Sequence, residues 1–290
     1  MTALFFVFYR SYAPADRSCQ NGSLSRTDKV YCAHSKGKCL CGKEKNMEKI
    51  VLNNLSKHYG EKHAVDGISL TVNDGEMLAL LGVNGAGKTT TIKMLSCLTK
   101  PTGGTAKVGG FDIVADKEKV KEIVGISTQD TAIARNLTVE ENLRFMAEIY
   151  LDPKKYGKKE IKAKVEEVIE DFKLEEVRKT HSCKLSGGWQ RRLSIAMAII
   201  GNPEVILLDE PTLGLDVLAR RELWKAIEKL KEGRTIILTT HYMEEAEALA
   251  DRIAIMIAGK IIMTGTLAEL EEKTGQKGLE NVFVSVAEGK

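Results

Sequence analysis

No stretch of this 290-residue sequence is long and apolar enough to cross a bilayer. The longest apolar runs, such as Ala3–Tyr9 and Ile195–Ile200, fall far short of the roughly 20 residues that a membrane helix needs. If the protein works at a membrane, another chain must span it. An excess of one charge is also missing from most of the chain. The formal net charge is +3, but residues 1–46 hold eight Lys/Arg against three Asp/Glu, and the remainder holds 35 against 37. That nearly neutral body has no basic footprint for a nucleic acid. Cysteine is just as scarce there, with Cys97 and Cys183 alone beyond residue 46. Two isolated thiols suit a reducing cytosol. The guanine-reading pattern Asn-Lys-x-Asp is absent, which argues against a GTP-binding switch.

Residues 1–46 show neither helical nor strand periodicity. Their apolar start, Leu4–Phe8, lacks the basic flank and length of a secretory signal. Cys19, Cys32, Cys39 and Cys41 follow C-x12-C-x6-C-x-C, without the C-x2-C pairs of common zinc sites. The expectation is a disordered extension or a start codon assigned too early, with Met47 opening a globular domain over 47–290.

What is present is organised around Gly82-Val83-Asn84-Gly85-Ala86-Gly87-Lys88-Thr89, which matches G-x-x-x-x-G-K-[ST]. Met77–Leu81 reads as a buried strand before it, and Thr89–Leu95 as a helix after it. In that context small residues let successive N–H groups curl around a phosphate. The helix N-terminus adds partial positive charge at the same place. Lys88 is expected to reach the β- and γ-phosphates, Thr89 to bind Mg²⁺, and Asn84, Gly85, Ala86, Gly87 and Thr90 to line the cradle.

Along the chain, Ile50–Leu52 and Ile68–Val72 read as strands around the turn-like Tyr59-Gly60-Glu61-Lys62. Strands are also expected near Thr105–Val108 and Ile123–Ile126. Leu137–Tyr150 and Lys158–Phe172 carry helical periodicity with charged faces, so residues of about 130–184 read as a helical insert. The lysines around Lys154–Lys164 read as a solvated face. Beyond Leu185-Ser186-Gly187-Gly188, helices alternate with the apolar strands Val205–Leu208, Thr235–Thr239 and Ile253–Ile257. Then come Ile261–Met263 and a last helix near Leu267–Lys273. Continuous apolar strands alternating with helices imply a parallel sheet covered on both faces. Ligands bind such sheets at the carboxyl ends of the strands. Thr128-Gln129, Asp209-Glu210 and Thr240-His241 all fall at such ends, which gathers them into one expected site.

Asp209, after four apolar residues, suits Mg²⁺ binding through water. Glu210 beside it can take a proton from an attacking water. Gln129 can touch Mg²⁺ or water and sense the γ-phosphate, and His241 can contact that phosphate and orient Glu210. Taken alone, Gln129 reads more readily as a surface residue and His241 as a structural one. Ser186-Gly187-Gly188 forms a second anion cradle, with Ser186 a natural helix N-cap. The first nucleotide is already wrapped by residues 82–89. A second cradle therefore points to a nucleotide held by a partner chain.

These motifs, in this order, resemble the nucleotide-binding subunits of ABC transporters. Leu185–Gly188 with Gln190-Arg191-Arg192 is similar to the family signature, and Leu213-Gly214-Leu215-Asp216 occupies the family's next loop. The resemblance covers residues 48 to about 275. It implies an α/β P-loop NTPase core of the ABC ATPase type, with an antiparallel β subdomain and a helical insert. It also implies ATP with Mg²⁺ as cofactors and an adenine stacked on Tyr59, which read alone is more often ordinary packing. Two subunits are expected to close head to tail, with Ser186, Gly187 and Gly188 of one completing the other's site and Asp216 at the interface. The insert is expected to dock on a separate transmembrane permease subunit, at the cytoplasmic face of the plasma membrane. A single nucleotide domain with Leu137–Leu143 after Gln129 looks like the drug- and sodium-exporter type. The alternative is a soluble ABC-type ATPase acting on ribosomes or DNA. It usually carries two nucleotide domains or a long coiled coil, and this sequence has one phosphate loop and no heptad run. Trp189 replaces a residue that is often Gln, and Thr128 stands where Pro is common. Neither change removes the cradle.

Overall fold

The computed structural model describes residues 47–151 and 156–288. The expectations for residues 1–46 and their four cysteines lie outside the described residues, as do Lys154 and Lys155.

Two sheets carry the fold. β1 (Glu48–Tyr59) and β2 (Lys62–Asn73) pair as a long hairpin, and β4 (Gly103–Val108) and β5 (Phe111–Asp112) extend it to a four-stranded antiparallel sheet in the order β2-β1-β4-β5. β1 and β2 run well past the expected Ile50–Leu52 and Ile68–Val72 toward their shared turn, where the residues are mostly polar and hide the strand pattern. The second sheet contains β3 (Met77–Leu81), β6 (Val124–Ser127), β7 (Val205–Asp209), β8 (Thr235–Thr240), β9 (Arg252–Ile257) and β10 (Lys260–Gly265). Their order is β10-β9-β3-β8-β7-β6, parallel except for the β10–β9 pair.

The apolar strands are continuous because both faces are buried. Met77, Ala79, Leu81, Ile206, Leu208, Ile236 and Leu238 face one core, made largely by helices. The alternate residues Leu78, Leu80, Val205, Leu207 and Ile237 face the other, shared with the antiparallel sheet and with Ile92, Met94 and Leu95 of α1 (Lys88–Leu95).

Helix α2 (Lys117–Ile123) precedes β6; Ile123, expected in the strand, is its last residue. Between β6 and β7 lie α3 (Val139–Tyr150), α4 (Lys158–Asp171), two 3-10 turns and α5 (Gly187–Ile199). Thr138 caps α3 in a reciprocal box with Glu141. On α4, Ile161, Val165, Val168 and Ile169 are buried while Lys158, Lys159 and Lys162 are exposed. That is the 3.6-residue period in physical form. After β7 come α6 (Val217–Leu230), α7 (Met243–Leu249), α8 (Leu267–Thr274) and α9 (Leu279–Ala287). Helix α9 corrects the expectation that the helix near Leu267–Lys273 is the last. It buries Leu279, Val282 and Phe283 in the main core, but its short run of Val and Phe has no charged face to signal a helix.

Candidate functional site

The parallel strands β3, β8, β7 and β6 are neighbours, so the loops at their carboxyl ends meet along one edge. A cavity of about 310 Å³ opens there, lined by residues 84–90 of the phosphate loop together with Lys62, Ala64, Gln129, Glu210, Leu213 and His241. The loop's shape depends on its glycines. Gly85 adopts φ 83° and Gly87 φ 109°, where side chains are strained. A Cβ on Gly87 would also lie 2.4 Å from the Ala64 carbonyl oxygen. Helix α1 starts immediately afterwards, with its N-terminal residues in the cavity wall.

The charged groups are buried and interlocked. Lys88 Nζ donates to the carbonyls of Gly82 at 2.6 Å and Val83 at 3.2 Å, and pairs with Glu210 Oε1 at 3.2 Å. The two side chains are only 5% and 6% exposed. His241 Nδ1 lies 2.6 Å from Glu210 Oε2. A carboxylate oxygen only accepts, so this ring nitrogen carries the hydrogen. Glu210 itself holds φ 51°, a left-handed conformation that costs a non-glycine residue about 1–3 kcal/mol. Its amide donates to Thr239 O at 3.1 Å and to Thr239 Oγ1 at 3.0 Å, which fixes that conformation.

Asp209 ends β7 beside Thr239 of β8. Its Oδ1 accepts from Thr239 Oγ1 at 2.6 Å and from Thr89 Oγ1 at 3.1 Å. Thr89 and Asp209 are thus adjacent oxygen donors, the chemistry a hard divalent cation takes. Gln129 is exposed and lines the cavity; its backbone is held from behind. The buried Arg191 of α5 donates to Thr128 O at 2.7 Å and Gln129 O at 2.6 Å. Burial pulls the Arg191 guanidinium below its ordinary range, while the carboxylates of Asp209, Asp130, Glu210 and Glu245 pull it back up.

Ser186, Gly187 and Gly188 do not line this cavity. Ser186 sits at the N-cap of α5, but its hydroxyl makes no cap bond. Ser186 and Gly187 are exposed, and space is open around Gly187. A Cβ on Gly188 would lie 3.7 Å from Ala219 and 3.8 Å from Leu215, which sets this turn against the start of α6. Asp216 caps that helix, accepting from the amides of Leu218 at 3.0 Å and Ala219 at 2.9 Å. The structure therefore brings the expected residues together in two groups: Asn84–Thr90, Gln129, Asp209, Glu210 and His241 in one, and Ser186–Gly188 with Asp216 in the other. Tyr59 joins neither. It is 49% exposed at the end of β1, outside the cavity wall, with Lys57 Nζ 5.0 Å from its ring centre. Trp189 packs against the main core with the Arg192 guanidinium over its ring.

Sequence reading missed Thr239, Lys62 and Ala64, and it used Arg191 only as part of a motif. The signal for Thr239 was a hydroxyl near the end of β8, level with the acid that ends β7. Lys62 and Ala64 had no signal, because only the hairpin's course past the phosphate loop makes them neighbours.

Comparison with known proteins adds a family. The profile described as "ABC transporter" matches residues 65–213. "Daunorubicin resistance ATP-binding protein DrrA3" of Streptomyces coeruleorubidus is 39% identical over 235 residues, 81% of this chain and 73% of that protein. "ABC transporter A family member 9" of Dictyostelium discoideum is 42% identical over 228 residues, 78% of this chain; the chain spans only 26% of that relative's length. A solved ATP-binding subunit of an ABC transporter superposes with a TM-score of 0.73 at 28% identity, covering 82% of this chain and 99% of that one. A dimeric ATP-binding cassette in a post-hydrolysis state, bound to ADP and Pi, gives 0.67 at 27% identity, covering 75% and 98%.

Proposed function

The chain belongs to the ABC transporter ATP-binding family, and from that premise we propose that it is the ATP-hydrolysing motor subunit of an exporter. Two copies, or this copy and a related one, close head to tail around ATP. The domain that does this spans 47–290, and its helical block between β6 and β7 docks on a separate transmembrane subunit at the cytoplasmic face of the membrane. Among the described residues no helix is long and apolar enough to span a membrane, so the transmembrane part is assigned to that subunit. The likeness to a daunorubicin resistance protein supports export as the direction. The cargo belongs to the membrane subunit.

The geometry and the family resemblance support the following roles. Amides of residues 84–90 cradle the phosphates, and Lys88 brings a buried positive charge to them. Glu210 is the carboxylate that takes a proton from the attacking water. Its strained backbone and its bond to His241 hold it in place. Thr89, Asp209 and Gln129 would hold Mg²⁺, which when bound neutralises phosphate charge. Tyr59 offers its exposed ring to the adenine. Ser186, Gly187 and Gly188 supply a second anion cradle to the partner's nucleotide, with Asp216 beside it.

The observation that carries this reading is Glu210 buried between Lys88 and His241 at the mouth of the phosphate loop. Lys88→Ala tests the binding half. Charge-assisted hydrogen bonds are worth about 1.5–3 kcal/mol, so ATP affinity measured by titration should fall about 10–100-fold or more. Unchanged affinity would remove Lys88 from the phosphate site.

A further inference from the structure

His58 and His63 face each other across the β1–β2 hairpin, with ring centres 3.9 Å apart and planes 17° from parallel. One ligand atom from each, with one Asp66 carboxylate oxygen, all lie within 4.8 Å of one another. We propose that His58, His63 and Asp66 form a binding site for a divalent transition-metal cation of the zinc class.

A regular strand would turn His63 and Asp66 to opposite faces, since they are three residues apart. The hairpin is not regular here. Its register shifts between Leu55 and Lys57 and again between Lys57 and His58. Such irregularities re-aim side chains, and here they bring a carboxylate to the histidine pair. The backbone beneath is held, with the Asp66 amide donating to Gly259 O at 2.9 Å and the His58 amide to Thr102 Oγ1 at 3.2 Å.

His58 supplies a second reason. Its Nε2 is buried and has no hydrogen-bond partner among the described residues. A buried ring nitrogen without a partner is uncommon and asks for an ion or water. Two imidazoles and one carboxylate suit zinc, copper or nickel far better than magnesium or calcium, which prefer all-oxygen shells.

Two adjustments are needed. Zinc–nitrogen bonds of about 2.0–2.1 Å at tetrahedral angles put ligand atoms roughly 3.4 Å apart, so the cluster must contract. Parallel rings cannot both aim a lone pair at one ion, so the exposed His63 turns out of the stack. Lys260 Nζ lies 3.3 Å from Asp66 Oδ2, but both side chains are well exposed, and an ion pair of that kind is weak and readily displaced. Lys62 and Ala64, which flank His63, line the cavity described above. A bound cation would therefore pin one wall of that cavity.

The test is calorimetric titration of the whole chain with ZnCl₂, without nucleotide, compared with His63→Ala and Asp66→Asn. All three proteins keep the six cysteines, Asp209 and Glu210, so any difference belongs to this cluster. Losing an outer-shell partner of a metal ligand already costs about 10–100-fold in affinity, so each variant should lose at least 10-fold at one equivalent. Zinc should raise the melting temperature of the parent more than that of His63→Ala. Matching metal-free melting temperatures verify that the exposed substitution leaves the fold intact. Equal stoichiometry and affinity in parent and both variants would overturn the site. So would a Co²⁺ spectrum in which every bound equivalent shows thiolate charge transfer, because the cysteines would then account for all the metal.

Discussion

Glu245, in the first turn of α7, is fully buried and accepts a hydrogen bond from Trp224 Nε1 at 3.2 Å through Oε1. Burial raises its carboxyl above the ordinary value of 4.5, against the lowering pull of hydrogen bonds from Thr240, Thr212 and Trp224, and the charge of Glu210 adds a smaller push upward. The folded state therefore keeps a proton that the unfolded state releases. Stability from this group is complete below pH 4.5 and is lost as pH rises toward the raised folded value. Glu245→Gln mimics the protonated acid and cannot ionise. Thermal unfolding of parent and variant at a series of pH values should show the parent losing ground from about pH 4.5 upward. Parallel curves would mean that Glu245 is already ionised in the fold. Among single residues, the phosphate loop and Asp209-Glu210 were legible because their chemistry is encoded in adjacent positions. Glu245 and Thr239 were not, since burial and the neighbouring strand give them their meaning.

The elements were read best where periodicity is strong. α3 and α4, and the apolar strands β3 and β7, follow the sequence pattern because a helix face or a doubly buried strand must repeat its apolar residues. Polar hairpin ends and the short α2 lack that repeat, and in α9 the repeat of Leu279, Val282 and Phe283 is masked by further apolar residues between and after them. The N-terminus of α5 shows what an element adds to its residues. Ser186 occupies the N-cap and its side chain makes no bond to its own helix, which leaves the hydroxyl and the first amides of α5 at an exposed turn. Asp216 does cap α6, which fixes the turn alongside. On this geometry Ser186→Arg should leave ATP binding by the single subunit within about twofold of the parent. It should also prevent ATP-dependent dimer formation, because the long cation fills an exposed cradle outside the nucleotide cavity. Titration and gel filtration on one sample read both effects. A Ser186→Arg protein that still dimerises with ATP would remove this turn from the interface.

At the scale of residues 47–288, the two groups of polar residues are the central feature. One group lines a cavity at the carboxyl edge of the parallel sheet, and the other is exposed at the start of α5 and α6. A single nucleotide in the cavity leaves the second group unused, and the proposed pairing of two copies would use both. The order of motifs raised this pairing as an expectation, but the separation of the two groups in space was not legible in it. Glu210→Gln examines the pairing most directly. The amide keeps the side chain's size and its contact with His241, yet it cannot take a proton. Turnover should fall about 10²–10⁴-fold while ATP still binds. Gel filtration of Glu210→Gln with Mg-ATP should then show a dimer that disappears when nucleotide is withdrawn. A Glu210→Gln protein that elutes as a monomer at saturating Mg-ATP, with its membrane subunit present, would contradict the account.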